Sequence, residues 1–151
     1  MKPRSTDPSY DRQARVGRLL NRVKSGLEDA MDRELAPCDL TAAQYVVMSI
    51  LASGRAESSA EICKEIVYDP GAMTRMLDRL EQKNLVRRIY SRENRRTVKL
   101  ELTEQGRALF PRVMARSRAL MERVIGSLSA AELDQLEKLL TRMADCLDPR
   151  A

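Results

Sequence analysis

Thirteen consecutive positions, from Arg87 to Lys99, hold six basic residues (Arg87, Arg88, Arg92, Arg95, Arg96 and Lys99) against one acid, Glu93. This segment sums to +5, the net charge of all 151 residues, so the rest of the chain is neutral in aggregate. The arginines at 92, 95 and 96 crowd the stretch from Ser91 to Arg96, and one glutamate cannot balance them. Contact with a polyanion or with acidic neighbours relieves such repulsion. Just upstream, Gly71, Ala72, Thr74, Arg75 and Arg79 fall opposite an apolar stripe, together with Asp78 and Gln82. Gly71 and Ala72 are too small to hold the backbone away from a ligand, Thr74 offers a hydroxyl and a methyl, and Arg75 has the planar fork that pairs with guanine O6 and N7. The combined expectation is an interface for double-stranded DNA. The helix face would read bases, while Arg92, Asn94, Arg95 and Arg96 would supply mostly sequence-independent affinity along the backbone or a narrowed minor groove. Two other readings stay open: a solvated helix face, and a basic hairpin that docks an acidic protein partner.

These residues need elements to present them, and capping chemistry marks where the elements begin. A hydroxyl at the Ncap and a Glu or Gln three residues later satisfy two orphan backbone donors reciprocally. Three such pairs occur: Thr41 with Gln44, Ser58 with Glu61, and Ser129 with Glu132. A long first helix is expected from Ser9 to Leu35, with Val16, Leu20, Val23, Leu27 and Met31 at helical spacing, ended by Pro37. Helices from Thr41 to about Ala52 and from Ser58 to about Val67 follow. Asp69 and Pro70 suit the Ncap and N1 positions of a fourth helix, which carries Met73, Met76, Leu77 and Leu80 on one face. Asn84 tolerates the left-handed conformation that ends it. Strands at 85–90 and 97–102 then form a hairpin, with Val98, Leu100 and Leu102 facing inward. A helix from Thr103 to about Ser127 and one from Ser129, bearing Leu133, Leu136, Leu140, Met143 and Leu147, complete the chain. Three helices followed by a hairpin is the order of a winged helix-turn-helix. The fold expected is therefore mainly α with a small two- to three-stranded β-wing.

Composition narrows the function classes. The chain lacks histidine, and Cys38, Cys63 and Cys146 lie far apart without a CxxC pair, which disfavours a zinc site. No GxSxG, Walker or GxGxxG pattern occurs, so no catalytic residues, metal or cofactor are expected. No apolar run reaches the roughly 20 residues that span a bilayer. The polar opening stretch at 1–8 is expected to be a mobile arm, and the protein cytoplasmic, with its thiols buried and inert. A redox-sensing Cys38 is the alternative.

The stretch MTRMLDRLEQKNLVRR (73–88) followed by SRENRRTVKLELTEQG (91–106) resembles the multiple-antibiotic-resistance regulator (MarR) family. LTEQG at 102–106 matches the family's LTxxG closing, and NRR at 94–96 stands where the family usually has DRR. The resemblance transfers a DNA-contacting role to Arg96, while Asn94 in place of aspartate removes that arginine's usual ion-pair support. It implies a single unit over 1–151, a winged-helix region at 41–102, and long dimerisation helices at 9–35 and 107–148. It also implies a homodimer on a pseudo-palindromic operator, acting as a repressor released by a small aromatic or phenolic anion. Arg15, Arg18, Arg22, Tyr45 and Met48 are the residues expected to line that ligand's pocket.

Overall fold

The computed structural model describes residues 8–90 and 98–147. Most of the opening arm, and Arg92, Asn94, Arg95 and Arg96, lie outside the described residues. Six α-helices and one antiparallel pair of strands are found among those described.

Helix α1 runs from Pro8 to Leu35, and a 3-10 turn at Ala36–Cys38 around Pro37 ends it. Helix α2 (Ala42–Ser53) starts at a complete capping box: the Gln44 amide donates to the Thr41 hydroxyl at 3.2 Å and the Thr41 amide donates to the Gln44 side chain at 3.2 Å. The Asp32 carboxylate of α1 accepts from the Ala42 amide at 2.6 Å and so sets the corner between α1 and α2. Helix α3 (Ser59–Ile66) has the second box, between Ser58 and Glu61; the Glu57 amide, with the Ser58 hydroxyl and amide, holds the Glu61 carboxylate below its usual range. Helix α4 (Pro70–Gln82) starts where expected, with the Asp69 carboxylate accepting from the Ala72 amide at 2.7 Å. Its stripe of Met73, Met76, Leu77 and Leu80 is buried. Lys83 caps it, and Asn84 takes the left-handed turn at φ 54°.

Strands β1 (Val86–Tyr90) and β2 (Val98–Leu102) pair in the register Val86 with Leu102, Arg88 with Leu100 and Tyr90 with Val98. Alternation turns these pairs toward the helices and turns Arg87 and Glu101 outward. No third strand joins them among the described residues. A single bond stands in its place, from the Leu100 amide to the Glu57 carbonyl at 2.7 Å in the connection before α3.

Helix α5 (Glu104–Ile125) is capped by Thr103, whose hydroxyl accepts from the Gly106 amide at 3.0 Å and donates to the Asn84 carbonyl at 2.6 Å. A Cβ at position 106 would collide with the Leu85 carbonyl oxygen, so the close approach of α5 to the root of the hairpin requires glycine there. Gly126 ends α5 just before the expected Ser127. Helix α6 (Ala130–Leu147) follows from the third box, Ser129 with Glu132.

The core gathers Leu35 from α1, Val47, Met48 and Ile50 from α2, Ile62 from α3, the α4 stripe, Leu85, Val86, Leu100 and Leu102 from the hairpin, and Val113 from α5. Each such side chain contributes about 1.5–3 kcal/mol on burial. The winged-helix part thus closes its own core. The long helices do not: Tyr10, Val16, Leu19 and Val23 on α1 remain exposed, as do Leu136, Leu139, Leu140 and Met143 on α6, which buries no residue fully.

Candidate nucleic-acid interface

Pro70 at N1 and the Asp69 cap fix how α4 leaves the preceding turn, and four candidate side chains follow on its outer face. Gly71, Thr74, Arg75 and Arg79 are exposed, and Ala72 is half-exposed. The Thr74 hydroxyl donates to the Pro70 carbonyl at 3.0 Å, which leaves its methyl and its lone pairs outward. Among the described residues, neither Arg75 nor Arg79 pairs with a carboxylate. Asp78, expected on the same face, is otherwise engaged: it is half-buried and holds the Arg88 guanidinium at 2.8 Å.

Arg88 lies on the inward side of β1 because of its pairing with Leu100. Its side chain, 19% exposed, donates to Asp78 and to Glu81 of α4, and its backbone amide donates to Glu81 at 3.3 Å. Burial works against the Arg88 charge. Hydrogen bonds and opposite charge from Asp78 and Glu81 outweigh burial and hold its pKa above the ordinary arginine value. This contact latches the hairpin onto α4.

Two more of the six bases are also matched. Arg87 Nε donates to Glu101 across the strands at 2.6 Å. That bond holds the Glu101 carboxyl below its usual range against desolvation, with the charges of Arg87, Arg107 and Lys99 adding to it. Lys99 pairs with Glu57 at 2.9 Å, and the bond raises its pKa. The basic run is therefore not uniformly unbalanced, as its composition suggests. Its excess rests on Arg92, Arg95 and Arg96, outside the described residues.

The five residues expected to line a ligand pocket are dispersed in character. Arg15, Arg18 and Arg22 are exposed on the N-terminal half of α1. Tyr45 is half-buried and stacked on Phe110 with ring centroids 6.2 Å apart, and Met48 is fully buried, so it presents no surface to a ligand within one chain. A groove of about 420 Å³ between α1, α2 and the end of α3 is walled by Glu28, Asp29 and Asp32 beside Val46, Ile66 and Tyr68. Its charge disfavours an anion. The cysteines also differ from expectation: Cys38 and Cys63 are half-buried against the core, while Cys146 is exposed near the end of α6. No group of three or more Cys, Asp or Glu residues suited to a metal ion occurs among the described residues, and no single helix among them is long and apolar enough to cross a membrane.

Sequence reasoning missed the Arg88 latch, although strict alternation along β1 carries its signal, placing 86, 88 and 90 on one side. It also missed why Gly106 is needed. That requirement arises between residues 85 and 106 and has no local signature.

Comparison with known proteins points the same way as the geometry. Residues 40–98 match the family described as MarR. The multiple antibiotic resistance protein MarR of Escherichia coli (strain K12) is 30% identical over 141 residues, covering 93% of this chain and 98% of that protein. A solved structure of a variant of E. coli MarR complexed with operator DNA superposes with a TM-score of 0.80 at 30% identity, covering 91% of this chain and 99% of that one. Bordetella bronchiseptica BpsR, whose DNA binding 6-hydroxynicotinic acid regulates, superposes with a TM-score of 0.77 at 28% identity, covering 86% and 93%. A winged helix-turn-helix of this topology, aligned with E. coli MarR over nearly its whole length, places the chain in the MarR family of transcription regulators.

Proposed function

We propose that the protein is a cytoplasmic, homodimeric repressor that binds pseudo-palindromic duplex DNA and is released by a small aromatic or phenolic anion. The observation that carries the DNA reading is the outer face of α4, where Gly71, Ala72, Thr74, Arg75 and Arg79 stand open beside a hairpin whose described cations are already neutralised. In this reading the start of α4 enters the major groove and Arg75 takes a guanine edge. In the same reading Arg92, Asn94, Arg95 and Arg96, outside the described residues, would supply the phosphate contacts.

The exposed apolar residues of α1 and α6 support a second copy as partner, since such surface marks an interaction site. A partner covering Val16, Leu19 and Val23 would also bring Arg15, Arg18 and Arg22 to the edge of that interface, which supports an anionic effector there. The likeness to BpsR favours an aromatic acid of that kind. Such a ligand releases DNA only through different affinity for the two arrangements of the dimer.

Selection of bound sequences from a random duplex pool tests the central reading. An inverted repeat is expected for the wild type, with preference lost at one position per half-site in Arg75→Ala. A pool that remains random, or one equally depleted by an acidic protein competitor, would refute it.

A further inference from the structure

Four described residues have a left-handed backbone, Asp39, Gly54, Val67 and Asn84. Three are residue types that adopt it readily. Val67 is not, because a β-branched side chain at φ 50° and ψ 59° crowds its own backbone. Its place in the chain demands that conformation: it caps α3, where its amide and the amide of Tyr68 both donate to the Cys63 carbonyl. Glycine or asparagine usually takes the left-handed position at a helix end, as Gly54 does at the cap of α2 and Asn84 does just after the Lys83 cap of α4. Nor does packing offset the strain, since Val67 is 86% exposed, the most exposed large apolar residue described.

An unfavourable conformation that projects two methyl groups into solvent is accounted for by a contact outside the chain. Val67 stands four residues before Gly71, on the turn that delivers α4. If α4 enters the major groove, this turn sits at the mouth of the same groove. The one apolar group on the major-groove edges of the four bases is the thymine C5-methyl. We infer that Val67 is a specificity-determining residue that packs against a thymine methyl in each half-site. The inference rests on the DNA-binding reading above and adds an apolar base contact outside α4, separate from any that the Thr74 methyl makes.

The test uses duplexes selected by the wild-type protein, with each thymine replaced singly by deoxyuridine, which deletes only the methyl. One thymine per half-site should be sensitive, its replacement weakening wild-type binding about fourfold, the equivalent of about 0.8 kcal/mol for one buried methyl-sized group. Val67→Gly and Val67→Asn should lose that sensitivity while melting at or above the wild-type temperature, because both residues accept the left-handed cap. Equal deoxyuridine sensitivity in wild type and both variants at every position, or none in the wild type, overturns the inference while leaving the DNA reading standing. A pool that shows no enrichment overturns both.

Discussion

Replacing Arg88 by methionine keeps the aliphatic stem and removes the guanidinium that joins β1 to α4. An ion pair broken in a dry interior costs about 3–5 kcal/mol, and one on an open surface about 0–1 kcal/mol. Arg88 lies between these limits, with its side chain 19% exposed and its partners Asp78 and Glu81 47% and 34% exposed. Water can reach both carboxylates once the arginine is gone, so about 2 kcal/mol is expected after discounting for screening. In a chain of this size that lowers the melting temperature by roughly 4–8 °C at fixed protein concentration. Denaturant unfolding of wild type, Arg88→Met, Glu81→Gln and the double variant measures the coupling, which should shrink between 0.1 and 1 M salt. DNA affinity should fall as well, because the hairpin loses its bearing on α4. The salt slope of binding should not change, since Arg88 is turned inward. Effects of the two single substitutions that add within about 0.3 kcal/mol would refute the latch; a flattened salt slope would show that Arg88 meets phosphate instead.

Arg96→Ala should reduce the salt slope by about 0.9 with little change in thermal stability, as expected for one lost phosphate contact, and an unchanged slope would count against the wing. Gly106→Ala should destabilise the fold by about 1–3 kcal/mol, because its Cβ meets the Leu85 carbonyl and α5 must retreat from the hairpin; thermal melting reads this directly. The Ser129 amide and hydroxyl hold the Glu132 carboxyl below its ordinary value of 4.5. Its stabilisation is therefore present above that pH and is lost as pH falls through the depressed value, so the melting curves of wild type and Glu132→Gln should differ at neutral pH and converge in acid. Charging the apolar face of α6 with Leu139→Glu and Met143→Glu should convert a dimer to monomers in sedimentation without unfolding α2 to α4.

Short-range rules made much of the fold legible. The caps at Thr41, Ser58, Asp69 and Ser129 and the left-handed turn at Asn84 each depend on three or four neighbouring residues, and each stands where the sequence indicates. The α4 stripe and the inward positions of β2 were equally readable from their periods. What periodicity does not carry is the partner across space. Asp78 looked free because its helix face is polar, yet Arg88 of the next element claims it. Met48 looked suited to a pocket, and the helices converging on α2 close over it. Arg87 and Lys99 swelled a local charge count that Glu101 and Glu57 offset. On the candidate interface, the exposure of Gly71, Thr74, Arg75 and Arg79 was foreseen, and that of Asp78 was not met. Val67 escaped notice because its conformation is imposed by the end of α3, and an exposed valine looks ordinary in a string of letters.

Glu57 has a part in how the molecule can respond. Its carbonyl holds the Leu100 amide and its carboxylate holds Lys99, while on the other side of the hairpin Arg88 grips α4. The described strands are thus fastened on both flanks, to the connection before α3 and to α4. In the proposed dimer, a signal arriving in the long helices would act on the distance and phase between the two winged-helix units rather than on the joint between hairpin and α4. Successive base pairs rise about 3.4 Å, so in such a dimer a relative slide of that order would be enough to set the two α4 helices out of step with one helical turn.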